Sequence, residues 1–296
     1  MSGPLQYLSM YHALFMCDPA LRLLSYANLQ RYISGEPADG VTERGKLLSA
    51  IARARGDSSG SAVPALFTLP AGHGISPSEE FCRHAIRRAY AGRASPHELI
   101  DTVRLAVAFG RVTHPVSGGG YAQKWFGLDC NAFVGNWLGI SPSLSIRSYL
   151  CGYGSGEIPG SVPSVEASRN CVPLKPIASI SEIRQGTVVV THGPPREGSG
   201  KTFKHIALVE RISPVPGGKH RVELAEWGVP GGFDSHHNTH TVKIGSTWRN
   251  PERRGVELLS FEDMGKEGLN HRFFLDHGSL THLPYRGWEV NKQWGV

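Results

Sequence analysis

The sequence predicts an α+β fold, on three observations. Helical patterns fill roughly the first hundred residues, β-branched and alternating runs gather after residue 186, and turn-forming residues punctuate both. Glycine (36) and proline (20) are abundant, which favours many turns over a plain helical bundle. In chain order, Asp18-Pro19 reads as an N-cap followed by a first-turn proline. It predicts a helix over LRLLSYANLQRYI that Gly35 ends. A second helix is expected from Glu43 to about Ala54, followed by the linker-like GDSSGS at 56–61. Ser76-Pro77-Ser78-Glu79 and Ser95-Pro96-His97-Glu98 both have the form of a capping box with proline in the first turn. They predict helices ending near Gly92 and Gly110. Residues 141–178 are rich in Ser, Pro and Gly without a period and read as a long loop or insertion. TVVVTH (187–192), KHIALVERI (204–212) and HRVELAEW (220–227) read as strands. The organisation expected is a helical region over 1–72 and a second domain over 73–296.

Composition narrows the function. The chain carries 31 Lys and Arg against 25 Asp and Glu, for a net charge of +6 and a pI near 9.1. Such a surface suits an anionic partner, but the basic residues are scattered and form no long run, which argues against nucleic acid. No stretch is long and apolar enough to span a membrane. The opening MSGPLQYLSMYHALFMC has no positive charge ahead of Leu5 and breaks at Asp18-Pro19, so it does not read as a signal peptide. The cysteines, at 17, 82, 130, 151 and 171, suit neither a disulfide scaffold nor a CxxC zinc site. Cys151 and Cys171 flank a loop-rich segment and are candidates to pair; an odd number of thiols leaves at least one free.

The most informative window is WFGLDCNAFVGNWLG, residues 125–139. Counting from Cys130, apolar residues at 133, 134, 137 and 138 form one helical face, with Asp129 as N-cap and Gly139 as stop. Cys130 then sits in the first turn, where the positive end of the helix dipole favours a thiolate. First-turn N–H groups there are also placed to stabilise an oxyanion. Read alone, such a cysteine is more often a small buried hydrophobe, the usual fate of a free cysteine. A histidine that opens a strand, His205, supplies the candidate base; alternation puts it on the side of Ala207 and Val209. In the next strand Glu226 shares a face with Val222 and Leu224, so it is a carboxylate on an apolar face in want of a partner. It is the candidate that orients His205, with Asp234 and His220 as weaker substitutes.

Together these residues resemble the NlpC/P60 superfamily of papain-like peptidases and the related CHAP amidases. The family signature Asp-Cys-Ser-Gly-Phe-Val is met here by DCNAFV, and its Gly-Asp strand followed by His-Val-Gly-Ile-Tyr by RQGTVVV and HIALV. LAEW, with Glu226, is similar to the Ser-Glu block of the CHAP branch. The resemblance covers about 120–230 and implies a papain-like fold with a Cys130–His205–Glu226 triad. It further implies substrate contacts from Asp129 and from Tyr121, the tyrosine ahead of the cysteine, and no metal or organic cofactor. The implied reaction is hydrolysis of amide bonds in peptidoglycan stem peptides. A wall hydrolase without a signal peptide is expected to travel as an injected antibacterial toxin or a phage-type lysis enzyme, with an immunity or secretion protein as partner. Two alternatives stay open: a cysteine acyltransferase or deamidase acting on protein, and a non-catalytic wall-binding module.

Two other signals are discounted. GSGKT (198–202) lacks the leading glycine of a phosphate loop, because Pro195 stands there, and a strand rather than a helix follows. His236, His237 and His240 have zinc-like spacing but no second pair to complete a site.

Overall fold

The computed structural model describes residues 3–114, 117–151, 172, 174–195, 202–228, 237–249, 257–265 and 268–278. The fold is mixed α and β with antiparallel sheets. Its first part comprises α1 (Pro4–His12), β1 (Leu14–Asp18), β2 (Leu23–Ala27), α2 (Ala38–Arg55), β3 (Leu66–Thr68), β4 (Glu80–Cys82), α3 (Arg83–Tyr90) and α4 (Pro96–Ala108). Then come α5 (Gly118–Trp125), α6 (Cys130–Leu138), α7 (Ile146–Cys151) and β5 (Lys175–Pro176). The main strands are β6 (Val188–Pro195), β7 (Thr202–Val215), β8 (Lys219–Glu226), β9 (His237–Val242), β10 (Ser246–Arg249), β11 (Glu257–Gly265) and β12 (Gly268–Asp276). They form one sheet in the order β10-β11-β12-β6-β7-β8-β9, with β5 beside β12.

Strand alternation separates two buried clusters. Val188, Val190, Ile206, Leu208 and Ala225 pack with the helices, against Phe133, Val134 and Trp137 of α6. Val189, Ala207, Val209, Leu224 and Phe274 pack with Phe261 on the opposite face. The sheet curls around this second cluster, because His240 of β9 pairs with Asp263 of β11 at 3.0 Å although these strands lie on opposite sides of the order.

The opening residues depart from the helical region expected over 1–72. Asp18-Pro19 starts no helix. The Asp18 carboxylate accepts from the N–H groups of Ala20 (3.1 Å) and Leu21 (3.2 Å), which is capping chemistry spent on a turn. That turn returns the chain as β2, paired with β1 from Leu14↔Ala27 to Asp18↔Leu23. Ser76-Pro77-Ser78-Glu79 likewise makes a turn, closed by the Glu79 N–H on the Ser76 carbonyl at 3.0 Å, and α3 begins only at Arg83. The Ser95 capping box forms as read and starts α4. Leu8, Tyr11, Leu14, Leu23 and Ile51 belong to the same buried cluster as Phe133 and Leu208, so residues 1–72 share a core with the sheet. Most of the 141–178 segment lies outside the described residues, as do Cys171 and the side chain of Cys151. The described part includes α7 and β5. No helix among the described residues is long and apolar enough to cross a membrane.

Candidate active site

The helix that Cys130 opens is built as its sequence specifies. The Asp129 side chain accepts from the Ala132 N–H at 2.8 Å, and Gly139 closes α6 in the left-handed region at φ 68°. Arg93 clamps the cap, with Nη2 2.7 Å from Asp129 Oδ2 and Nη1 donating to Oδ1 at 3.0 Å. Burial pushes the Asp129 carboxyl up to about 6, against the pull of Arg93 and the backbone N–H groups of Ala132 and Asn131. The Ala132 N–H is therefore taken up by the cap, and the Phe133 N–H goes to the Asp129 carbonyl at 3.0 Å. The N–H groups of Cys130 and Asn131 also belong to the first turn, at the positive end of the helix beside the thiol.

Cys130, His205 and Glu226 come together, at 4%, 3% and 0% exposure. His205 Nε2 lies 2.7 Å from Glu226 Oε2. Cys130 lies on the other side of the imidazole, close enough to raise its pKa, and with Nε2 toward Glu226 it is Nδ1 that is turned away from the carboxylate. Register explains the meeting: Ala207 pairs with Glu226, so Glu226 and His205 are diagonal neighbours on one face of adjacent strands. Burial alone favours a neutral ring, but Cys130 and Glu226 on either side push His205 up to about 9. Burial also opposes the charge of Glu226, yet His205, Arg272 and Asn238 hold it at about 2. The arrangement is a buried imidazole between a thiol group and a carboxylate, suited to proton transfer at sulfur.

Glu226 is supported by residues that the sequence reading missed. Asn238 Nδ2 of β9 donates to Glu226 Oε1. Arg272 of β12 places Nη1 3.6 Å from Glu226 Oε2 and Nε 3.2 Å from Asp263 Oδ1. His240 completes the chain on Asp263. Its neighbour His237 faces Glu223 at 3.6 Å instead, while His236 and Asp234 lie outside the described residues. Among the described residues no group of three His, Cys, Asp or Glu is arranged to hold a metal ion. Arg272→Leu would leave buried Glu226 and half-buried Asp263 without their shared cation. The expected cost is about 3 kcal/mol, read as a lower urea midpoint with an unchanged slope.

Tyr121 is not brought to the thiol contact. Its buried hydroxyl bonds Tyr90 and lies 3.3 Å from Glu43 Oε1, which in turn pairs with Arg111. A tyrosine that does come close to Cys130 is Tyr32, which is 40% exposed. Burial and the nearby Cys130 and Asp129 raise its pKa, so the hydroxyl keeps its proton. Residues 31–33 run parallel to the approach to α6: the Leu128 N–H donates to the Arg31 carbonyl (3.1 Å) and the Ile33 N–H to the Leu128 carbonyl (3.2 Å). Gly127 permits that approach, since a Cβ there would fall 2.4 Å from the Arg31 oxygen. Gly228, at φ +68°, lies beneath the Tyr32 ring, where a Cβ would come within 2.1 Å. No local pattern marks Tyr32, because its partner comes from a distant part of the chain.

α1 steadies the same helix. Asn136 Nδ2 of α6 donates to the Tyr11 hydroxyl (3.3 Å) and to the Arg93 carbonyl (3.2 Å), and His12 stacks on Trp227, which follows Glu226 in sequence. Comparison with known proteins finds no matching family model, no matching curated protein and no matching solved structure.

Proposed function

We propose that this chain is a papain-like cysteine hydrolase of the NlpC/P60 type that cleaves amide bonds in peptidoglycan stem peptides. The observation that carries the reading is His205 seated between Cys130 and Glu226, with Cys130 opening a capped helix. In the proposed reaction the Cys130 sulfur attacks the amide carbonyl carbon, and the oxyanion meets the Cys130 N–H and the Tyr32 hydroxyl. His205, through Nδ1, protonates the departing amine as the C–N bond breaks and a thioester forms. The neutral ring then takes a proton from water, whose oxygen attacks the thioester. Collapse releases the carboxylic acid and restores the thiolate–imidazolium pair. Glu226 holds Nε2 throughout and stabilises the charged ring.

The basic surface, pI near 9.1, suits the anionic wall. Delivery as an injected toxin, recognised by an immunity protein, is the route this reading favours. The test is digestion of purified sacculi followed by mass spectrometry of released fragments. Fragments ending at a stem-peptide amide support the reading. Modification of protein substrates with sacculi left intact would replace it by an acyltransferase or deamidase. Tyr32→Phe removes one oxyanion donor without removing the ring, and is expected to lower kcat roughly 10²-fold with little change in KM, measured on a soluble stem-peptide substrate.

A further inference from the structure

A cavity of about 500 Å³ opens between α2, the turn at 59–61 and the start of α3. Arg44, Arg83, His84 and Arg87 line it together with Ser49 and Ser59, and no acidic side chain does. Its cations are only partly neutralised. Arg44 is forked onto Glu36, at 2.5 and 3.1 Å. Arg83 Nη1 donates to the carbonyls of Ser61 and Val63, both at 2.6 Å, which fixes the turn but leaves its charge unmatched. Arg87 is exposed and has no ion pair among the described residues. Partial burial and the charges of Arg83, Arg88 and Arg87 push the pKa of His84 down, as a site of uncancelled positive potential would.

We propose that this cavity binds the phosphate group of a soluble phosphorylated ligand. The guanidinium groups of Arg83 and Arg87 on α3, with Arg44 of α2 across the cavity and serine hydroxyls between them, offer donors from several directions. A phosphate presents three terminal acceptor oxygens and up to two charges to such a set, whereas a carboxylate presents two oxygens and one charge. The volume leaves room for the rest of the molecule that carries the phosphate. The site is separate from the thiol: α3 leads away from the cavity to Gly92 and Arg93, which hold Asp129, and α3 alone is about 12 Å long.

The experiment is calorimetric titration of the full chain with pyrophosphate, with acetate and with vesicles containing phosphatidylglycerol. One saturable pyrophosphate site is expected, weakened roughly tenfold or more by Arg87→Ala and less by Arg87→Lys, and unchanged by Cys130→Ala. Arg87 is exposed, so its alanine variant is expected to melt with the wild type, which separates lost binding from lost fold. No saturable binding would overturn the proposal. So would affinity for acetate equal to that for pyrophosphate, binding to vesicles alone, or pyrophosphate binding that survives both Arg87→Ala and His84→Ala.

Discussion

Replacing Cys130 with alanine is expected to abolish amide hydrolysis, by at least about 10⁴-fold in kcat/KM, and to leave the fold in place. In the proposed reaction the sulfur is the group that attacks, and alanine offers no substitute. The fold is expected to survive because α6 is set by other residues: the Asp129 cap, the Gly139 stop and the bonds from Asn136 to α1 and Arg93. Circular dichroism should superimpose on the wild type while product formation vanishes. His205→Ala is expected to cost as much, since an amine cannot leave without its proton. The two losses should not add, because each residue is idle without the other. A double variant much slower than either single one would show that His205 acts elsewhere.

Glu226→Gln should have the second largest effect, on the order of 10²-fold or more in kcat, with a change in pH dependence that a structural defect would not produce. In the wild type the imidazolium persists until His205 loses its proton near pH 9, so activity should fall as pH rises through that value. Glutamine removes the carboxylate that stabilises the ring, and the falling limb should move to lower pH. The folded pKa of His205 lies above its ordinary value of 6.5, so its contribution to stability is complete below 6.5 and is lost as pH rises through about 9. Glu226 behaves oppositely: its contribution is present above 4.5 and is lost as pH falls toward about 2. Urea midpoints measured across this range should show a plateau between those limits in the wild type and a weaker pH dependence in Glu226→Gln.

Legibility followed the range of the interactions. The helix from Cys130 to Leu138 is bounded by its own cap and stop, and Glu226 betrayed itself as a carboxylate on an apolar face; both are local signals. Capping chemistry misled where tertiary pairing decided. Asp18 and Ser76 hydrogen-bond nearby N–H groups as helix caps do, but β1 and β4 offered strand partners and the side chains close turns instead. Leu23–Ala27 falls within the helix that Asp18-Pro19 predicts, yet it is held as a strand by its register with β1. Tyr32 and Arg272 were illegible for a related reason. Each acts on the site through a strand contact with a segment far away in sequence, and neither carries a local pattern that sets it apart from an ordinary surface tyrosine or strand arginine.

Competitive alkylation with a limiting amount of iodoacetamide near neutral pH, followed by peptide mapping, tests activation of Cys130 most directly. Cys17 is exposed and Cys82 half-buried, whereas Cys130 is 4% exposed, so access alone would label Cys130 last. Pairing with His205 predicts the reverse order: Cys130 labelled first in the wild type, and slowed to or below the rate of Cys17 in His205→Ala. Labelling of Cys130 no faster than of Cys17, or a rate indifferent to His205→Ala, would contradict it.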